Sequence, residues 1–175
     1  MIWNNMTSEA TPNPVCDDAL VGFHKHDHKN CVETALTTAE ARCKKEGLRL
    51  TPVRRKVLEM LLQEHRALGA YAILDALREE GFGSQPPVAY RALDFLVQNG
   101  FVHKIERLNA FVACSHPGAD HSPAFMICRK CDAVAEAQSA PAKGILGAAA
   151  RATGFEIERT VVEAEGLCPS CTEKA

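Results

Sequence analysis

The chain has 175 residues, 46% of them apolar and 24% charged, with a formal net charge of −2, which is the profile of a globular protein with room for one ordinary domain or two small ones. No apolar run reaches the ~18 residues that span a bilayer as a helix, and residues 1–10 lack both a basic and an apolar leader region, so the cytoplasm is the expected location. In that reducing compartment eight cysteines point to metal binding or redox chemistry rather than to disulfides.

The small net charge hides an uneven distribution. Residues 42–66 hold eight bases against three acids, whereas residues 132–175 hold seven acids against four bases. A basic segment beside an acidic one suits a protein of which one end meets a polyanion, although a solvated helix face would carry similar charge.

Residues 1–32 are polar, contain Pro12, Pro14 and the tract His24-Lys-His-Asp-His28, and read as a mobile tail. Order is expected from Glu33, where an Ala-, Glu- and Lys-rich stretch reads as a surface helix stopped by Gly47. Thr51-Pro52 then supplies an N-cap and a first-turn proline, with Val53, Val57, Met60 and Leu61 on one helical face. A second helix carries Ile73, Leu74 and Leu77 and ends at Gly81. Pro86-Pro87 opens a third, with Tyr90, Leu93 and Val97 on one face and Gly100 just past its end. Two short strands follow, Phe101–Ile105 and Ala110–Ala113, joined by a turn at Leu108-Asn109. Three helices and a two-stranded ribbon in this order predict a winged helix-turn-helix over residues 33–115, whose last helix enters the major groove of DNA.

Residues 116–123 read as a hinge. Beyond it, residues 124–175 predict strands at Phe125–Cys128 and Ala133–Ala137, a small-residue helix over Pro141–Thr153 and a strand over Phe155–Ala164. The fold class is therefore α+β. A unit of about 50 residues is close to the lower limit for an apolar core alone and needs a staple.

Cys128-x-x-Cys131 and Cys168-x-x-Cys171 supply that staple. Each pair ends a predicted strand, and four thiolates close a tetrahedral structural zinc shell with no open position. Two redox-active dithiols are the competing reading, but no thioredoxin-like βαβ pattern surrounds either pair. A second set, His103, Cys114, His121 and Glu136, is scattered around the hinge. Singly, each has an ordinary structural explanation as a strand histidine, a small buried thiol, a loop residue or an edge charge. Jointly, two imidazoles, a thiolate and a carboxylate make a zinc shell that disfavours harder cations, drawn from both sides of a hinge as a sensor requires. His116 stands close to His121 and competes for the same role. In the tail, His24, His26, His28 and Cys31, with Cys16 upstream, form either a weak metal scavenger, a further zinc site or an ordinary polar segment. Cys43 has no partner at ligand spacing.

Leu50-Thr-Pro-Val-Arg-Arg55, Ala70-Tyr71, Pro86-Pro-Val-Ala-Tyr-Arg-Ala-Leu-Asp-Phe95, Gly100-Phe-Val-His103, Phe125-Met-Ile-Cys-Arg-Lys-Cys131 and Gly166-Leu-Cys-Pro-Ser-Cys171 resemble the ferric uptake regulator family, in its zinc uptake regulator branch. The resemblance runs from about residue 36 to residue 171. The CxxC pairs are general to the family, whereas the Tyr-Arg-Ala-Leu-Asp-Phe run and the Gly-Leu-Cys ending are more particular to the zinc branch. It implies a winged-helix DNA-binding domain joined through the hinge to a dimerisation domain, a structural zinc on Cys128, Cys131, Cys168 and Cys171, and a regulatory zinc on His103, Cys114, His121 and Glu136. It further implies a homodimeric, zinc-loaded repressor of zinc-uptake genes that binds palindromic double-stranded operators. The chain departs from the family in two places. The single His121 stands where the iron-sensing branch carries a histidine-rich run, and Pro86-Pro-Val-Ala stands where Thr-Val commonly precedes the tyrosine.

For DNA, Arg91 is the candidate base reader, since a guanidinium pairs bidentately with guanine. Tyr90 beside it is either a DNA contact or a core aromatic, and Tyr71 approaches DNA by resemblance. Arg49, Arg54 and Arg55 are candidates for phosphate contacts. The alternative functions are an iron or peroxide sensor of the same family, which should lack the thiolate at position 114, and a zinc-dependent hydrolase or deaminase. The deaminase signature requires His-x-Glu, and no histidine here is followed two places later by glutamate. A non-enzyme is therefore expected.

Overall fold

A computed structural model describes residues 23, 28–63, 66–83, 85–118, 121–139 and 144–173. Helix α1 (His28–Glu46) opens at His28 rather than at Glu33. Cys31 is buried and Val32 packs on the core, so tertiary burial carries the helix back into residues whose composition alone reads as tail. The expected tail of residues 1–32 is thus corrected at its end, and its earlier part lies outside the described residues.

Helix α2 (Pro52–Gln63) starts as its cap predicts. The Arg54 amide donates to Thr51 Oγ1 at 3.4 Å, and the Arg55 amide to the Thr51 carbonyl at 2.9 Å. Val57, Leu58, Met60 and Leu61 face inward and meet Ile73, Leu74 and Leu77 of α3 (Ala70–Glu79) and Leu93 and Leu96 of α4 (Pro86–Gln98). Two prolines occupy the first turn of α4, where a missing N–H costs nothing. At its other end Gly100 takes φ +66°, and the Phe101 amide closes back on the Leu96 carbonyl at 2.9 Å. That left-handed step turns the chain straight into the wing.

The wing comprises β2 (Val102–Ile105) and β3 (Ala110–Ala113), paired antiparallel from Val102 opposite Ala113 to Ile105 opposite Ala110. Asn109 sits in the turn at φ 46°, which its short polar side chain tolerates. The expected two-stranded ribbon is a three-stranded sheet, because β1 (Leu68–Gly69) pairs with the outer side of β3. Two residues are too few for alternation to show in the sequence.

The second sheet is built from β4 (Ser122–Cys128), β5 (Val134–Ser139) and β6 (Val162–Gly166), in the order β5-β4-β6, with β5 antiparallel and β6 parallel to β4. Helix α5 (Ile145–Thr153) forms the crossover, and the single turn α6 (Pro169–Thr172) follows β6. Four boundaries differ from expectation. Strand β4 reaches back to Ser122, inside the stretch read as hinge. Strand β5 starts at Val134, Ala133 instead making an isolated bridge to Arg66. Helix α5 is described only from Ile145. Residues 155–161 are not strand: Phe155 is 69% exposed, and the ladder with β4 begins only where Val162 meets Ala124. An alternating stretch without a ladder partner does not become a strand.

The cores do not divide where the chain does. Ile105 and Val112, on the wing, pack with Phe125, Ile127 and Val134 of the second sheet. The wing is therefore a wall shared by both halves. No helix of the described residues is long and apolar enough to cross a membrane.

Phe125 is 1% exposed at the centre of this shared core. Truncating it to Ala is expected to cost about 3–5 kcal/mol in denaturant-induced unfolding. A loss below about 1 kcal/mol would show that the wing and the second sheet are not truly packed together.

Candidate metal centres

The parallel pairing of β4 and β6 sets Cys128 opposite Gly166, which brings the two CxxC pairs side by side. Cys128 ends β4 and Cys131 follows on the turn; Cys168 precedes α6 and Cys171 lies within it. All four sulfurs lie within 4.8 Å of one another. A tetrahedral zinc with bonds of about 2.3 Å to sulfur separates two sulfurs by about 3.8 Å. The Cys131 and Cys168 sulfurs are 3.7 Å apart. Backbone amides of Cys168, Lys130 and Cys131 point at the Cys128 sulfur and hold its thiol down at about 6. Burial and the neighbouring sulfurs push Cys171 up to about 12. Four thiolates cannot coexist here without a cation between them, so the donor set fits a structural dication.

The second set also converges: His103 from β2, Cys114 just after β3, His121 just before β4 and Glu136 from β5 place their donor atoms within 4.8 Å of one another. The Cys114 sulfur lies 3.6 Å from His121 Nε2, matching the edge of about 3.6 Å that zinc–sulfur and zinc–nitrogen bonds would span. Glu136 is 6% exposed and is the buried charged residue among those described. Its Oε2 accepts the Ser115 amide at 2.8 Å, while Oε1 lies 2.8 Å from His121 Nε2 and 3.3 Å from His103 Nε2. Burial works to raise this carboxyl, but His103, the Ser115 amide and His121 outweigh it and hold it at about 2. His103 Nε2 is buried and within ion-pair reach of the carboxylate, yet has no hydrogen-bond geometry to a partner among the described residues. A buried nitrogen aimed at a carboxylate, an imidazole and a thiol is placed as a metal ligand is. Burial, and then the Glu136 charge, push the Cys114 thiol well above its usual range, so it is neutral at physiological pH and must lose its proton to ligate. His116 lies outside this group, its ring centroid 6.0 Å from that of His121. Of the two histidines, His121 is the one that lies with the other three donors.

Of the tail set, His24, His26, the His28 side chain and Cys16 lie outside the described residues, and Cys31, within α1, is buried.

The residues expected to meet DNA lie on and around the helices of the first half. Tyr71 is 75% exposed and Tyr90 44%, which removes the reading of Tyr90 as a core aromatic. Both tyrosines line a cleft of ≈ 500 Å³ together with Asp94 and Lys104. Arg91 and Arg49 are exposed. Arg54 is committed elsewhere: its guanidinium stacks 3.7 Å from the centroid of the Phe95 ring and donates to the Arg49 carbonyl at 2.6 Å. Arg55 pairs with Glu40 at 2.6 Å. Of the expected phosphate contacts, Arg49 alone is uncommitted by any such side-chain contact among the described residues. The sequence reading missed the Ser115 amide that orients Glu136. A backbone donor leaves no trace in residue type.

A winged helix-turn-helix followed by a small sheet with a four-cysteine cluster, and a mixed-donor cluster where the two meet, defines the class as a metal-binding winged-helix protein. The profile of the ferric uptake regulator family matches residues 45–165. The zinc uptake regulation protein of Escherichia coli (strain K12) is 40% identical over 146 residues, covering 83% of this chain and 85% of that protein. A solved zinc uptake regulator complexed with zinc and DNA is 40% identical, with a TM-score of 0.77 over 82% of this chain and 96% of that one. The crystal structure of holo XcZur is 42% identical, with a TM-score of 0.72 over 80% and 98% respectively. The chain belongs to the ferric uptake regulator family and sits with its zinc uptake regulators.

Two outcomes follow from the geometry. Cys128→Ser is expected to lose structural zinc and the cooperative unfolding of the second sheet, read by metal analysis and circular dichroism; retention of both would remove the staple. Because Cys114 ligates only after giving up a proton, zinc affinity at the second cluster should fall by up to about tenfold for each pH unit lowered below neutrality. Competition with a chelator of known affinity at two pH values measures this, and a pH-independent affinity would contradict it.

Proposed function

We propose that this protein is a zinc-responsive transcriptional repressor that binds palindromic operators of zinc-uptake genes as a zinc-loaded homodimer in the cytoplasm. The observation that carries the reading is the mixed-donor cluster, because its ligands come from both halves: His103 and Cys114 from the wing, His121 and Glu136 from the second sheet. The reading assigns two zinc ions to each protomer, one structural and one regulatory.

Zinc, when bound, supplies a dication that four donors can satisfy only in one arrangement. The residues of the chain do the rest. Ser115 orients Glu136 through its amide, and Glu136 in turn holds His121 and faces His103. All four donors meet only when the wing stands against β4 and β5, so metal occupancy favours that arrangement over splayed ones. The wing follows α4 directly through Gly100, and its orientation therefore sets that of the recognition helix. In a dimer this allows both copies of α4 to reach major grooves one helical turn apart, ~34–36 Å. Arg91 is then placed to read bases, with Tyr90 and Tyr71 beside it and Arg49 on phosphate. The acidic β6 face stays away from the polyanion.

The buried thiol at Cys114 favours zinc over iron or manganese and so speaks against the iron- and peroxide-sensing alternative. A hydrolase or deaminase would need an open coordination position for water, and four converging protein donors leave none. Operator binding titrated against buffered free zinc, together with metal analysis, tests the reading. Wild-type protein should bind more tightly as zinc rises. Cys114→Ser should keep a folded dimer with its structural zinc but lose the zinc dependence. Equal operator affinity with the second cluster emptied by chelator would overturn the assignment.

A further inference from the structure

The wing is held at its turn as well as at its base. The backbone amides of Glu106 and Arg107, consecutive donors in the exposed turn between β2 and β3, both donate to the carboxylate of Glu163 on β6, at 2.7 and 3.1 Å. Arg107 also pairs with Glu165, two residues further along β6. Leu108 and Val161 close the apolar side of this contact by packing on the shared core. One carboxylate that accepts two adjacent amides is a directional, charge-assisted anchor rather than a diffuse surface attraction. It spans more than fifty residues of sequence, from the recognition half to the second sheet, and involves no metal ligand.

In many winged helices the wing turn is free to contact DNA. Here its amides are spent on β6, next to two acidic side chains that would repel a phosphate backbone. We propose that Glu163 is a positioning residue, which locks the wing turn to the second sheet and narrows the range of α4 presentation angles before zinc binds, so that the wing acts as a strut and not as a DNA reader. The inference rests on the DNA-binding reading above. It divides the work between two attachments: the mixed-donor cluster secures the base of the wing, and Glu163 secures its far end. With the turn already anchored, the metal has fewer arrangements left to exclude.

The test uses the full-length, zinc-loaded dimer and compares wild type with Glu163→Gln, Glu163→Ala and, as a milder break, Arg107→Met. Amide hydrogen exchange is followed at Glu106 and Arg107, and operator affinity is measured at saturating zinc with both zinc ions counted. Glu163→Ala is expected to accelerate exchange at those two amides while leaving β4, the dimer and the zinc count unchanged, and to weaken operator binding by about tenfold, the scale of one charge-assisted hydrogen bond. Glu163→Gln, which keeps one acceptor oxygen, should fall between wild type and Glu163→Ala. Acceleration across the whole sheet would mark a merely structural residue and overturn the proposal, as would unchanged operator affinity once the turn amides exchange freely. Asn109, in the wing turn and lining the cleft shared with Tyr71 and Tyr90, serves as a counter-check: if Asn109→Ala altered base preference, the wing would be a reader after all. Zinc-independent operator binding by the wild type would instead defeat the functional reading itself, so the two failures are told apart.

Discussion

The buried carboxylate of Glu136 is the interaction on which this architecture turns. A charge taken out of water is tolerated only when it is paired and hydrogen-bonded, and its partners here come from three separate places: the Ser115 amide, the His121 ring and the His103 ring. Two of these, His103 and Ser115, belong to the wing and its exit, while Glu136 sits on β5. The need to satisfy one carboxylate therefore draws the two halves together before any metal is considered. The same need leaves a nitrogen, a sulfur and a carboxylate oxygen facing one another at ligand spacing.

Around that point the two halves are unequal. The helical half has a broad apolar core from four helices and the inner face of the wing. The second sheet has few buried large side chains of its own: Phe125, Ile127 and Val134 complete their packing on Ile105 and Val112 of the wing. Its four-cysteine cluster gathers at the ends of β4 and β6, where a parallel pair has no hairpin to join it and a bound dication would tie the two together. Exposed Ile145, Leu146, Phe155 and Leu167 all lie on this half. An apolar surface of that kind on the stapled unit accords with the family's dimerisation through it.

Functional division thus does not follow the linear domain boundaries. The wing belongs by sequence to the DNA-binding half, yet it contributes donor side chains to the mixed-donor cluster, apolar side chains to the second core and backbone amides to β6. A sheet that follows directly from α4 is a short route from metal occupancy to helix orientation. The basic candidates divide similarly. Arg54 and Arg55 look equivalent to Arg49 in the chain, but one is stacked on Phe95 and the other is paired with Glu40.

What the sequence determined by itself was local chemistry and local periodicity. The Thr51 cap, the prolines opening α4, Gly100 at its end and the CxxC spacings each act within a few residues, where the cause of a conformation and the residues that show it are the same. The members of the mixed-donor cluster were legible as types, from their placement around one hinge and from the family resemblance. Only the tertiary structure decided which of His116 and His121 joins them, because six ångströms of separation between two rings depends on where β4 starts and not on residue type. It likewise decided the two-residue β1, the start of α1 at His28, the irregular path of residues 155–161 and the anchoring of the wing turn by Glu163. Each of these is settled by a partner distant in sequence, or by a backbone amide that every residue other than proline carries, and neither leaves a mark on the order of amino acids.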